Sequence, residues 1–430
     1  MKKQLSGDSN PTLSLKAFSF AAFLSIGPFV VISEKLIGLG SVVLGLIQLS
    51  ALLFLILPAI VSKTDHFLWF YGSSSGKLIL TGLTLILVSI IFNFTILSIL
   101  KWALLAVYLM VLPMQIPYIG QRSILGGAGI FSVVASFVIW KTFEEWNVNS
   151  VCLYVSLIAL CGAAFFFGFR TKLSRFCGLF LLSLGLSTNF FLGSRTAILS
   201  LFLSVFVYYL FQRKILTVQK VRFIACAFVG ATLLFYSPLI SIANLGKSYL
   251  DNDSVFASFF LSDKDEDKLD FDMFDRRVVW NAAITTIIEN PLTGAGYATK
   301  LPEKLVDGRS ATSAHNAYLE IGYQCGVPAM IVWTCFYAFI FNFACSLILR
   351  KDNRPLIFLL FTSSLYLLLA GTMESSGMCS LAVTSNWLVI SCFLYLYIKV
   401  NYSRVKRGSS VTQKFITLKG PKKRKVHKTT

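Results

Sequence analysis

Charge is scarce in this sequence, and that scarcity decides the class of protein. Of 430 residues, 14% are charged and 56% hydrophobic, against about 25% and 45–50% in a soluble globular domain. A mean hydropathy of +0.72 agrees: most of the chain belongs in a bilayer. Alternation of apolar and polar residues is missing from the long apolar runs. They are continuous and are therefore expected to be helices, the one form besides a closed barrel that satisfies its backbone in lipid. No Walker, Rossmann or zinc-ligand spacing occurs and no internal repeat is visible, which sets aside ATP-driven transport within this chain and most cofactor chemistry. The acidic stretch 251–275 lacks the glycine and terminal glutamate of a calcium loop and reads as a solvated linker. Nine cysteines are present, mostly inside apolar runs where they act as small hydrophobes, and no pairing pattern supports a disulfide framework. Histidine is reduced to His66, His315 and His427.

What is present is a series of apolar runs, each about as long as a helix needs to cross a ~30 Å hydrocarbon core. Twelve are counted, at 14–32, 37–61, 78–99, 102–119, 123–140, 150–169, 176–192, 196–211, 222–242, 318–349, 356–372 and 380–399. The fold class is therefore all-α, a polytopic membrane helical bundle of about 12 transmembrane helices with one large external loop between helices 9 and 10. Lys101 and the Pro113, Pro117, Gly120 cluster are the only punctuation between the third, fourth and fifth runs. Lys2 and Lys3 before the first run resemble a signal peptide, but the run is long, and it is read as a retained helix.

Charge bias orients the bundle, because short cytoplasmic loops collect Lys and Arg. With the N-terminus inside, those loops hold thirteen: Lys63, Lys77, Arg122, Arg170, Lys172, Arg175, Arg213, Lys214, Lys220, Arg222, Arg350, Lys351 and Arg354. The opposite short loops hold four: Lys35, Lys101, Lys141 and Arg195. Four regions result: 1–243 with helices 1–9, an external loop 244–317, 318–400 with helices 10–12, and a basic cytoplasmic tail 401–430. The net charge of +19 is thus orientation and tail. It argues for contact with membrane lipids at anionic headgroups, and no nucleic acid is expected as a partner.

Chemistry is expected in the one polar interruption and the histidine that closes it. Asp275 is expected to cap an amphipathic helix 276–290, with Arg276, Trp280, Ala283, Ile284, Ile287 and Ile288 on one stripe. Pro291 ends it, and Gly294-Ala295-Gly296 makes a tight turn. Too short to span, this helix is expected to lie on the membrane surface or pack on the bundle, holding Arg276 near the membrane. Arg195, in Gly193-Ser194-Arg195, falls between two apolar helices on the same external face. A charge at that depth reads as functional, with snorkelling to a lipid phosphate as the alternative. His315 is the one histidine outside the cytoplasmic side, with Asn316 beside it and Glu320 able to share its face one turn on. A lone histidine is more often structural. Beside Arg195, Arg276 and Arg277, whose guanidinium forks suit a pyrophosphate, it is placed to take a proton from an attacking hydroxyl. The catalytic candidates are His315, Arg276 and Arg195; the candidate substrate contacts are Arg277, Trp280, Asn316, Tyr318, Glu320, Gly294 and Gly296.

In order along the chain stand Gly193-Ser194-Arg195, Arg276 to Trp280, Pro291 to Gly296, and His315-Asn316-Ala317-Tyr318-Leu319 followed by Gly326. This ordered set resembles the O-antigen ligase and polysaccharide polymerase superfamily, by motif over about 190–330 and by topology elsewhere. The resemblance implies a metal-independent glycosyltransferase of a bacterial inner membrane, without a cofactor and with its site facing the periplasm. The implied donor is a glycan on undecaprenyl pyrophosphate; the implied acceptor is lipid A core for a ligase or another carrier-linked glycan for a polymerase. Family arginines contact the pyrophosphate and the histidine activates the acceptor, roles that carry to Arg195, Arg276 and His315. A transporter is the competing class, since twelve helices are common there. The missing repeat and the placement of the motifs on an external loop count against it.

Overall fold

A computed structural model gives the protein's structure and describes residues 17, 18, 20–24, 65–141, 148–168, 171–192, 195–212, 266–301, 313–348, 354–372 and 386–402. Among them there are helices and no strand. The runs expected at 37–61 and 222–242 lie outside the described residues. In chain order the helices are α1 (Asp65–Gly72), α2 (Ser74–Phe92), α3 (Ile96–Ile119), α4 (Gln121–Lys141), α5 (Val148–Gly168), α6 (Lys172–Leu192), α7 (Arg195–Gln212), α8 (Glu266–Glu289), α9 (Ala317–Leu347) and α10 (Arg354–Ala370). Residues 20–24 and 386–402 are helical as well. Among the described residues, Ser74–Phe92, Ile96–Pro117 and Ala317–Leu347 are long and apolar enough to cross a membrane.

Several boundaries differ from the sequence expectation. The third and fourth runs part at 93–95, not at Lys101, which sits in the second turn of α3. Thr95 is the reason: its hydroxyl accepts the Ser98 amide at 3.1 Å and starts a new helix. Pro113 and Pro117 do not end α3, which runs on to Ile119 and stops at Gly120 with φ 81. The amphipathic helix begins at Glu266, not at Arg276, so Asp275 is interior and not a cap, and 266–275 is helix where a linker was expected. The expected stripe also splits. Ala283 is buried and Ile287 packs half-buried against the same cluster, which Val279 from outside the stripe completes, while Ile284 and Ile288 are exposed.

In lipid, apolar burial does not drive helices together, so close packing must. A Cβ on Gly178 would stand 2.5 Å from the Phe166 amide nitrogen, one on Gly185 would stand 2.8 Å from that of Ala159, and one on Gly162 would press on Leu182 and Gly178. These pairs make α5 and α6 antiparallel. Asn189 of α6 donates to Ser156 of α5 at 3.0 Å. Gly82 of α2 faces Trp333 of α9, and Tyr318 of α9 donates to the Leu368 carbonyl of α10 at 2.9 Å. Tyr397, in the last described helical segment, gathers Trp69, Phe70, Phe339, Phe343 and Phe393 around it.

Candidate active site

The candidate site is built around a break in α9. At Gly326 the backbone leaves the helix (φ 83, ψ 168), and Pro328 follows two residues later. In a continuous helix the carbonyls of Tyr323 and Gln324 would accept from residues 327 and 328. Val327 instead donates to the Pro291 carbonyl at 2.8 Å, and Pro328 has no N–H to give. Both freed carbonyls are taken by the turn that follows α8. Ala295 donates to Tyr323 at 2.6 Å, and Gly296 to Gln324 at 3.0 Å.

This docking explains the glycines. A Cβ on Gly294 (φ 65) would meet the Cys325 nitrogen at 2.6 Å, and one on Gly326 would meet the Leu292 carbonyl oxygen at 2.5 Å. The turn therefore seats backbone against backbone. It offers little to a ligand, since the amides of residues 294, 295, 296, 298 and 299 all have protein acceptors. Gly294 and Gly296, expected among the substrate contacts, are placed as structural elements of this joint.

His315 stands at the start of the first half of α9 with φ 48, a left-handed conformation that costs a β-carbon residue energy and that strong surroundings must impose. Those surroundings are visible. Asn316, 2% exposed, caps the helix by accepting from the Tyr318 and Leu319 amides, each at 3.0 Å, and its amide donates to the Thr372 carbonyl at 2.9 Å. Ala317 donates to the Gly371 carbonyl at 2.8 Å. On the other side, the Glu320 carboxylate accepts the Ala314 amide at 2.8 Å, and Tyr323 and Gln324 donate to its second oxygen, each at 2.8 Å. Asn316, Tyr318 and Glu320 thus bond to protein and hold the His315 backbone from both flanks. The amides of Ala314, His315 and residues 317–320 are likewise engaged. These amides are therefore committed to protein acceptors.

The arginines are located by their backbones. Ile287 of α8 lies against Gly322, and Leu292 against Gly326, so α8 runs alongside and parallel to 317–325. Val279 and Ala283 join Ala314 and Tyr323 in one buried cluster. Arg276 precedes Val279 by three residues, about 5 Å of helix, and Arg277 and Trp280 flank that turn. For Arg195, Phe167 near the end of α5 stacks on Phe358 at the start of α10. Since α6 returns antiparallel to α5, its Leu192 end lies at the far end from Phe358. That is where α10 reaches Thr372 and Asn316. Arg195 opens α7 three residues after Leu192, and Tyr208 of α7, packed on Phe358, marks the opposite end about 20 Å away. Arg195, Arg276 and His315 therefore share one end of the bundle. Sequence reasoning missed Gln324, Ser89, Asn93 and Ser98, all bonded to this joint.

Compared with known families, residues 177–334 match the model described as O-antigen ligase. The match runs from α6 through Arg195, Arg276 and His315 to the second half of α9, and it bears out the resemblance carried by the ordered motifs. No curated protein matches the chain.

Proposed function

We propose, for a membrane protein carrying an O-antigen ligase family domain over residues 177–334, that it transfers a glycan from undecaprenyl pyrophosphate to a sugar hydroxyl, and that lipid A core is the acceptor. The observation that carries this reading is the strained, doubly braced His315 at the same bundle end as Arg195 and Arg276. A proton acceptor in line with a hydroxyl must be fixed in place, because misplacement by about 1 Å can cost a hundredfold in rate.

In the proposed step the acceptor oxygen attacks the anomeric carbon of the donor sugar. The bond from that carbon to the pyrophosphate oxygen breaks, and the electron pair leaves with undecaprenyl pyrophosphate. His315 takes the hydroxyl proton as the new bond forms. Arg195, Arg276 and, beside them, Arg277 stabilise the departing pyrophosphate. The amides of 314, 315 and 317–320 are engaged by protein, which favours the guanidinium groups as the anion ligands. The bias of Lys and Arg among the short loops supports a site facing the periplasm from the inner membrane, with both termini in the cytoplasm.

The test is transfer by the purified protein in detergent, with an undecaprenyl-pyrophosphate-linked glycan and lipid A core as substrates. Wild type forms the conjugate, and His315→Ala and Arg276→Ala lose it by about a hundredfold or more while remaining folded. Conjugate formation at wild-type rate by both variants would overturn the reading. Elongation of carrier-linked glycan in place of core modification would identify a polymerase, and absence of any transfer would return the transporter class.

A further inference from the structure

We infer that the connection between α2 and α3, through Ser89, Asn93 and Ser98, is a positioning clamp for the candidate active site, supplied by a part of the chain outside the family match. Three side chains reach the joint. Ser89, fully buried, donates to the Gln324 carbonyl at 2.9 Å. Asn93 donates to the Gly294 carbonyl at 3.1 Å. Ser98, 3% exposed, donates to the Tyr297 carbonyl at 2.6 Å. All three are donors aimed at carbonyls, which is what the joint lacks. Pro328 leaves the Gln324 carbonyl with no helical donor, and a turn holding positive-φ Gly294, Gly296 and Ala298 exposes its own carbonyls. Gly296 also donates to the Gln324 carbonyl, so Ser89 is its second donor, while Asn93 and Ser98 bring side-chain donors to the Gly294 and Tyr297 carbonyls; together they brace the docked turn. The fit is also steric, since a Cβ on Gly296 would come within 2.7 Å of Asn93 Cβ.

From the clamp a bonded route leads to His315. The turn it fixes presents the Ala298 amide to Gln324 Oε1 at 3.2 Å. Gln324 Nε2 then donates to Glu320 Oε1, and Glu320 Oε2 accepts the amide of Ala314, the residue before His315. Ser89, Asn93 and Ser98 touch no reacting group on this route. They act through the turn and Glu320 as positioning residues. The matched segment, 177–334, thus holds the motif residues but not these three side-chain donors.

Two readouts on the full-length protein in lipid nanodiscs test this, only the second of which rests on the proposed transfer activity. The first is amide hydrogen exchange in Asn93→Leu and Ser98→Ala. Exchange at 294–299 and at 314–320 is expected to rise about tenfold, as for the loss of a bond of about 1.4 kcal/mol. Thr84→Ala, an exposed residue that bonds only within its own helix, leaves those amides unchanged. The second is transfer kinetics, where kcat is expected to fall about tenfold to a hundredfold with KM for the donor within about twofold. Ser89→Thr keeps the hydroxyl and is expected to retain the rate that Ser89→Ala loses. Unchanged exchange in both Asn93→Leu and Ser98→Ala would overturn the clamp, as would undiminished kcat in both within an active wild-type background. If the wild type transfers nothing, the proposed function fails and exchange alone still decides the clamp.

Discussion

At the scale of single residues, the informative contrast is between His315 and Asn316. His315 carries a left-handed backbone, while Asn316 has its side chain engaged at both ends. One residue is strained and its neighbour does the restraining, a pattern that concentrates at functional sites. His315→Gly removes the strain together with the imidazole. Against His315→Ala, which also lacks the imidazole but keeps the Cβ, its thermal stability is expected to be equal or higher by up to about 1 kcal/mol, with transfer lost in both; a clearly lower melting temperature than that of His315→Ala would contradict the strain argument. Asn316→Ala is expected to cost about 1–3 kcal/mol. Asn316→Ser restores the cap but cannot reach Thr372, so it should recover part of the stability in a thermal unfolding series. In the sequence Asn316 and Glu320 were legible only as neighbours of a histidine. Their partners, Thr372 and Ala314, are set by folding.

At the scale of elements, the run lengths made most of the described helices legible, and what they hid were the breaks. Residues 78–99 read as one apolar run because Asn93 and Thr95 are too short and neutral to interrupt hydropathy. Lys101 reads as a terminus although a helix can carry its long stem. Gly326 and Pro328 were ambiguous for a different reason, because both are tolerated inside membrane helices when neighbours supply the missing bonds. Here the neighbour is the turn after α8. Gly326→Ala is expected to undock that turn, since its Cβ would meet the Leu292 carbonyl oxygen at 2.5 Å. The loss should be about 1–3 kcal/mol and should appear as faster proteolysis within 290–301. Gly322→Ala is the milder companion, because its Cβ meets the end of the Ile287 side chain, which can move. The splitting of the α8 stripe has a similar origin. A hydrophobic face can be recognised from periodicity, but whether protein or lipid covers each half depends on the partner helix.

At the scale of the whole molecule, segments far apart in the chain meet at one end of the bundle. Ser89, Asn93 and Ser98 bond to residues 235, 201 and 199 positions away, so the α2–α3 connection and the turn after α8 lie on one face. Thr372 joins them through Asn316. Such pairings are invisible in one sequence, because nothing local marks a serine in a span as the donor for a carbonyl two hundred residues on. Impermeant maleimide labelling checks the arrangement in a background without native cysteines. Cysteines at Thr95 and Lys300 are expected to label from one side of the membrane, and one at Lys77, at the opposite end of α2, from the other. Labelling of all three from a single side would refute it.

The break in α9 also settles a matter of length. Unbroken, Ala317–Leu347 would be a 31-residue helix of about 46 Å facing a hydrocarbon core of about 30 Å, and it would have to tilt or thin the bilayer around it. The stretch from Val327 to Leu347 alone measures about 30 Å. The nine residues 317–325 are therefore not needed for spanning, and the depth of His315, just before them, is expected not to follow membrane thickness. A catalytic histidine carried in this way would keep its level relative to the headgroups in bilayers of different lipid composition.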